Sequence, residues 1–212
     1  MNRFSFDTVK DFDNHISNSI TGYDILHKLI LNISSFFIKE NTVPIDLGCT
    51  SGKLLKQIEE KYNCKTIGYD ITNKQFIKDI DLRIQDITID DFEIPITNLI
   101  YSIFTLQFID IEKRKIVLEK VYNSLNKNGA FIFCEKEVCE NGIIQEVFIF
   151  SNYQNKRNNF TSDEILNKEV DLRKIMNSLQ SSSNIILLKK AGFKTIEPFF
   201  QSLNFKGYIC IK

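Results

Sequence analysis

Apolar positions recur at helical spacing from residue 23 to 38, where Ile25, Leu26, Leu29, Ile30, Ile33, Phe36 and Phe37 predict an amphipathic helix; residues 10 to 20 carry no strong order signal. The apolar run 43–47 predicts a strand, and Leu54, Leu55 and Ile58 predict a second amphipathic helix over residues 53–62. Residues 65–69 and 82–85 read as further strands, separated by a short helix over 72–80 with Thr72 as its N-cap. Residues 99–104 form a compact apolar strand. A helix over 110–125 follows, with Ile111, Ile116, Val117, Val121 and Leu125 on one side, closed by Asn128-Gly129. Residues 130–134 make the next strand, and a mainly helical stretch from 143 to about 191 is stopped by Gly192. Residues 193–199 and 205–211 are then two strands joined by a short connection, hence antiparallel to each other. Phe36-Phe37 and Phe199-Phe200 are expected in the core.

Strands alternating with helices imply a parallel sheet with right-handed crossovers and helices on both faces, and the closing strand–turn–strand inserts one antiparallel strand. The predicted class is α/β: a Rossmann-like sheet of seven mostly parallel strands, as in class I methyltransferases. We expect a single domain over residues 1–212, with residues 1–40 as an N-terminal helical cap and 140–191 as a helical insertion over the active site. Ligands of such sheets bind beyond the carboxyl ends of the strands, where Gly48, Asp70, Asp86, Phe104 and Glu135 should gather.

The stretch Val43-Pro44-Ile45-Asp46-Leu47-Gly48-Cys49-Thr50-Ser51-Gly52 leads from a strand through a glycine turn into a helix, and Asp70 ends the following strand. Small residues at such a turn let a ligand approach the backbone, and a carboxylate at the second strand's end suits two ribose hydroxyls. Gly48 to Gly52 is only G-x-x-x-G; the recurrence of Asp46, Asp70 and Asp86 at strand ends is what points to a nucleoside. Gly52-Lys53-Leu54 lacks the hydroxyl that a phosphate loop places after its lysine, which argues against nucleoside triphosphate hydrolysis. A dinucleotide enzyme needs a second mononucleotide-binding half or a separate substrate domain, for which this chain is short, so S-adenosyl-L-methionine is the expected cofactor. Asp86-Ile87 suits an adenine amino group and an apolar wall for the ring.

Lys plus Arg equals Asp plus Glu at 27 each, so no global field steers the protein to nucleic acid or an anionic membrane. Five cysteines, odd in number and never at C-x-x-C spacing, argue against both a disulfide framework and a zinc site, and no metal is expected. Residues 1–7 lack the apolar core of a signal peptide, and no run reaches transmembrane length. A cytoplasmic protein with reduced thiols is the expectation.

Several segments together resemble the carboxy-S-adenosyl-L-methionine synthases. They are Ile16-Ser17-Asn18-Ser19-Ile20-Thr21-Gly22-Tyr23-Asp24, Asp46-Leu47-Gly48-Cys49, Phe104-Thr105-Leu106-Gln107-Phe108, Glu135-Lys136, Ala191-Gly192-Phe193 and Phe199-Phe200-Gln201-Ser202-Leu203-Asn204-Phe205. That family has a class I methyltransferase fold and uses prephenate to carboxylate the S-methyl group of S-adenosylmethionine, supplying a cofactor for wobble-uridine modification in tRNA. The resemblance implies that Tyr23 contacts the amino-acid end of the ligand while Gly48, Cys49 and Thr50 wrap it. It assigns Asp70 with Ile71 to the ribose, Asp86 with Ile87 to the adenine, and Ile103 and Phe104 to the same site. It also implies a homodimer. Ile103 stands where the family has asparagine, and Leu187 where it has an arginine that pairs with the carboxylate distinguishing the carboxylated product. Leucine cannot make that pair. Lys156, Arg157 and Arg173 are the cations that could replace it.

The leading reading on the residues is therefore an S-adenosyl-L-methionine-dependent methyltransferase with a small-molecule or peptide acceptor, without direct nucleic-acid or membrane binding. Glu135 is the preferred base, with His15 and Tyr153 behind it. Carboxy-S-adenosyl-L-methionine synthesis is the alternative, and a noncatalytic S-adenosylmethionine-binding protein the second alternative.

Overall fold

Alternate side chains of the two central strands enter different cores, and that period of two organises the molecule. In β4 (Thr97–Ile103), Ile100 joins one core while Leu99 and Tyr101 join the other; in β5 (Leu125–Lys136), Phe131 and Phe133 part from Ile132 and Cys134 in the same way. The computed structural model describes residues 11–212. Residues 1–7, read above as lacking a signal-peptide core, and the start of the expected cap lie outside the described residues.

In chain order the remaining elements are α1 (Phe12–Ser19), α2 (Tyr23–Ser34), β1 (Ile45–Leu47), α3 (Lys53–Tyr62), β2 (Ile67–Asp70), β3 (Asp81–Ile84), α4 (Ile111–Ser124), α5 (Gly142–Lys156), α6 (Ser162–Leu172), α7 (Ser181–Ala191), β6 (Thr195–Ser202) and β7 (Phe205–Ile211). A 3₁₀ turn, Leu106–Phe108, follows β4. The seven strands lie in the order β3-β2-β1-β4-β5-β7-β6. β1 to β5 pair in parallel, and β7 runs antiparallel to both neighbours. This is the Rossmann-like class I arrangement expected from the alternation of elements. Leu26 and Ile30 of α2 and Leu54, Leu55 and Ile58 of α3 pack on one face of the sheet, and Val117, Leu118 and Val121 of α4 with Leu188 of α7 on the other. Among the described residues, no helix is long and apolar enough to cross a membrane.

Four local expectations are corrected. Residues 12–19 form α1, whose Asp11 cap accepts the Asn14 amide at 3.0 Å; a short polar helix gives a weak hydrophobic period, which is why the sequence pattern missed it. Residues 72–80 are not helical. Their amides find acceptors elsewhere, Thr72 at Asp70 Oδ1 (3.2 Å) and Ile77 at the Ser51 carbonyl (3.1 Å), and Asp79 takes a φ of +68°. Helix α2 ends at Ser34, which leaves Phe36 79% exposed rather than in the core. On α4 the buried stripe runs through Arg114, Val117, Leu118 and Val121, and Ile111 and Ile116 face outward. The long helical stretch is three helices; α6 starts on a capping box between Thr161 and Glu164, and α7 stops at Gly192 with φ +122°.

Candidate functional site

A cavity of about 720 Å³ opens beyond the carboxyl ends of β1, β2 and β4, inside the range of roughly 300–1,000 Å³ typical of small-molecule sites. Its wall includes Gly48, Cys49 and Thr50 from the turn after β1, Asp70 and Ile71 at the end of β2, and Asp86 and Ile87 after β3. Ile103 and Phe104 from β4, Tyr23 from α2 and His15 from α1 complete the set of sequence candidates found there.

The turn after β1 has the backbone its sequence suggests. Gly48 has φ +85°, and a Cβ there would lie 2.2 Å from Thr105 Oγ1, so glycine alone fits under that side chain. The amides of Gly48 and Cys49 both donate to the Tyr69 carbonyl, at 2.8 and 3.0 Å, tying the turn to β2. Asp70 is then fixed from two sides, because Oδ2 accepts the Thr50 amide at 2.9 Å and Oδ1 the Thr72 amide at 3.2 Å. Each carboxylate oxygen has two lone pairs, so acceptor capacity remains for a ribose diol.

Two buried polar atoms on this wall, Asp46 Oδ1 and His27 Nε2, have no hydrogen-bond partner among the described residues. Burial, and then the neighbouring Asp70, push the Asp46 carboxyl up to about 8. Burial, and then Lys53, push His27 down to about 4. Unsatisfied buried groups facing a cavity fit a polar ligand, and an α-ammonium such as that of S-adenosylmethionine would satisfy Asp46. Tyr23 packs against His27 with ring centroids 4.3 Å apart and ring planes tilted by 44°, and burial followed by Asp13 raises its hydroxyl well above the ordinary tyrosine range. The Cys49 thiol is likewise raised by burial and then Asp46, which keeps it an inert neutral group. Asp86 is exposed and held below the ordinary carboxylate range by its bond from the Thr88 amide, at 2.8 Å. Phe104 turns out of β4 with φ +58°, a strained conformation for an aromatic residue.

The base candidates part company. His15 lines the cavity, hydrogen-bonded to Lys168 Nζ, and burial followed by Lys168 lowers it to about 4. Glu135 does not line the cavity. Successive side chains of β5 alternate, so Lys136 takes the cavity side while Glu135 is 1% exposed, near Arg114 and bonded by the Leu106 and Gln107 amides. Burial first, opposed by Arg114 and reinforced by Glu137, pushes Glu135 up to about 8. Its Oε1 is buried without a hydrogen-bond partner among the described residues. Tyr153 is also absent from the cavity wall; its hydroxyl bonds Arg173 and its ring packs edge-on to Phe150.

The wall formed by β5, α5 and α6 carries Lys136, Lys156, Lys168 and Glu169. Of the three cations considered from the sequence, Lys156 lines the cavity and Arg157 and Arg173 do not. Lys136 and Lys168 were missed. The signal was available on α6, where Ile165, Lys168, Glu169 and Leu172 share one helix face and so place charge at core-facing positions. Leu187 lies in the core with Leu188 and Phe193, 8% exposed, and does not line the cavity.

No family model matches the chain. A carboxy-S-adenosyl-L-methionine synthase of Staphylococcus epidermidis is 35% identical over 97% of this chain and 94% of that protein. Proteins of the same name from Histophilus somni and Campylobacter lari are 30% and 29% identical, each over 99% of this chain and over 93% and 95% of their own lengths. Among solved structures, human N-acetylserotonin methyltransferase in complex with S-adenosylmethionine matches with a TM-score of 0.57 at 19% identity, over 81% of this chain and 47% of that one. The S-adenosylmethionine-dependent methyltransferase SibL matches with a TM-score of 0.59 at 10% identity, over 96% of this chain and 60% of its own. The solved structures share the fold; the sequence relatives share nearly the whole chain as well. The chain therefore belongs to the carboxy-S-adenosyl-L-methionine synthase family and is an S-adenosyl-L-methionine-dependent transferase on the class I methyltransferase fold.

Proposed function

We propose that this protein makes carboxy-S-adenosyl-L-methionine, using prephenate to carboxylate the S-methyl group of S-adenosylmethionine for tRNA wobble-uridine modification. The observation that carries this reading is the 35% identity to the Staphylococcus epidermidis synthase along 97% of the chain. The cavity supports it with a division of labour. Asp70 would hold the ribose hydroxyls, Asp86 and Ile87 the adenine, and Asp46 with Tyr23 the amino-acid end, while the turn after β1 would wrap the ligand with Gly48, Cys49 and Thr50. When bound, S-adenosylmethionine supplies a methyl group activated by its sulfonium.

Methyl transfer to a small-molecule acceptor is the second reading. It is favoured by Leu187, an apolar core residue where the family resemblance implies an arginine. One assay separates the two: purified protein is incubated with S-adenosylmethionine with and without prephenate, and the nucleoside products are read by mass spectrometry. Carboxy-S-adenosyl-L-methionine formed only with prephenate upholds synthesis. S-adenosylhomocysteine formed with a small acceptor, and no carboxylated product, overturns it. We extend the proposal to a homodimer, for which the exposed Ile143, Val147 and Phe150 of α5 offer an apolar surface, and sedimentation velocity reads its mass.

A further inference from the structure

Helix α1 brings to the cavity an acid that neither the ribose nor the adenine calls for. Asp13 lines the wall from the first turn of α1, and its two oxygens accept the Ser51 hydroxyl at 3.1 and 3.0 Å. Ser51 belongs to the glycine turn after β1, is 5% exposed and accepts the Lys53 amide at 3.2 Å, so this bond sets Asp13 against a fixed part of the site. From β1 comes Asp46, 4% exposed, whose Oδ1 has no hydrogen-bond partner among the described residues. The two acids share one end of the cavity: burial raises the Tyr23 hydroxyl most, and Asp13 and then Asp46 add to it. Lys53, exposed at the start of α3, lines the same end and acts on His27.

A carboxyl group withdrawn from water needs partners for its oxygens, and Asp46 has one oxygen without any. Two carboxylates brought to one end of a cavity by separate elements also repel each other until a cation comes between them. A metal ion is not what this set selects, because no group of three or more His, Cys, Asp and Glu side chains among the described residues could hold one. An ammonium group suits it, with three donors to share between two carboxylates, and Lys53 offers the opposite sign to the carboxylate of an amino acid. We propose that Asp13 joins Asp46 in holding the α-ammonium of S-adenosylmethionine, so that the bound cofactor ties α1 to β1. The proposal rests on placing the amino-acid end of the cofactor at Asp46 and Tyr23. The Ser51 hydroxyl supplies one proton to the Asp13 carboxylate, whose remaining lone pairs are open to the ammonium. Helix α1 buries only Ser19, so its place over the cavity depends on side-chain bonds at Asp13, His15 and Ser19. A charged contact with the cofactor adds to these bonds and closes α1 on the loaded site.

The test titrates S-adenosylhomocysteine and its deamino analogue, in which hydrogen replaces the α-amino group, by calorimetry into the wild type and into Asp13→Asn, Asp13→Glu and Asp46→Asn. The expected result in Asp13→Asn is a loss of about ten-fold in S-adenosylhomocysteine affinity, as for one charge-assisted contact, with the deamino analogue held within about two-fold and part of the loss recovered in Asp13→Glu. An equal loss for both ligands overturns the proposal, because Asp13 then serves only its bond to Ser51, and so does an unchanged affinity for both. If Asp46→Asn loses the preference for the amine and Asp13→Asn keeps it, the proposal falls and the placement of the amino-acid end stands. If the wild type binds the two ligands equally, that placement falls and the proposal with it. Hydrogen exchange of the amides of residues 12–19 adds a readout that needs no variant. Slower exchange with saturating S-adenosylhomocysteine than with saturating analogue is expected, and equal rates overturn the tie between α1 and β1.

Discussion

The two sides of the cavity differ in what they present to a ligand. Beyond β1, β2 and β3 the chemistry comes from the backbone of a tight turn and from carboxylates, of which Asp70 is held by the Thr50 and Thr72 amides and Asp86 by that of Thr88. Beyond β5 it comes from long cationic side chains on separate elements, Lys136 and Lys156, both paired with Glu169. The first side is fixed by the fold itself, and any chain with this sheet must build something like it. The second is assembled by helices that cover the sheet.

The comparison breaks most visibly at Leu187. If the cation for the carboxylate belongs to the lysine wall, Leu187→Arg places an unpaired charge in the core and destabilises the fold by about 3 kcal/mol, with no gain in preference for the carboxylated nucleoside; chemical denaturation and competitive binding read both. On the nucleoside side, Asp70→Ala is expected to weaken S-adenosylhomocysteine binding by roughly a hundred-fold, since two charge-assisted hydrogen bonds to the ribose are lost. Calorimetry on a variant shown to be folded checks it, and unchanged affinity removes Asp70 from the site. Lys156→Met sharpens the contrast from the other wall: it removes the 3.0 Å partner of buried Glu169 and is expected to lower stability by about 2 kcal/mol in chemical denaturation, while nucleoside affinity holds.

A fourth test is a pH slope. Glu135 takes up its proton at about 8 in the fold against an ordinary 4.5, so the folded state binds more protons between those values. Stability from this group is full below 4.5 and is lost as pH rises through 8. Glu135→Gln should flatten that fall, with Asp46 still contributing in the same direction. An unchanged slope in urea midpoints measured from pH 5 to 8.5 would sink the assignment of Glu135 as a buried structural carboxyl.

What could be read from the chain follows the same division. The sheet, its one antiparallel strand and the nucleoside side were legible because strand runs, glycine turns and strand-end acids are local signals: Gly48, Asp70 and Asp86 announce themselves within a few residues of the strands that carry them. Helix 12–19 and the irregular stretch 72–80 were not, because the first is short and polar and the second donates amides of Thr72 and Ile77 to Asp70 and Ser51. Glu135 and Lys136 show the limit most clearly. They are adjacent at the end of β5, and strand alternation sends one beneath the 3₁₀ turn and the other to the cavity, a choice of face that the hydrophobic run before them does not announce.

The connector between α6 and α7 bears on timing. The Asn177 amide donates to the Gln107 carbonyl at 2.6 Å, the Lys136 amide donates to Gln107 Oε1 at 2.7 Å, and buried Arg114 donates through Nη2 to the carbonyls of Ile109 and Asn177 at 3.1 and 2.9 Å. Opening the connector breaks the two bonds at Asn177 together, while Arg114 keeps the Ile109 carbonyl and the Lys136 amide keeps Gln107, an event that belongs with the local excursions of a folded chain.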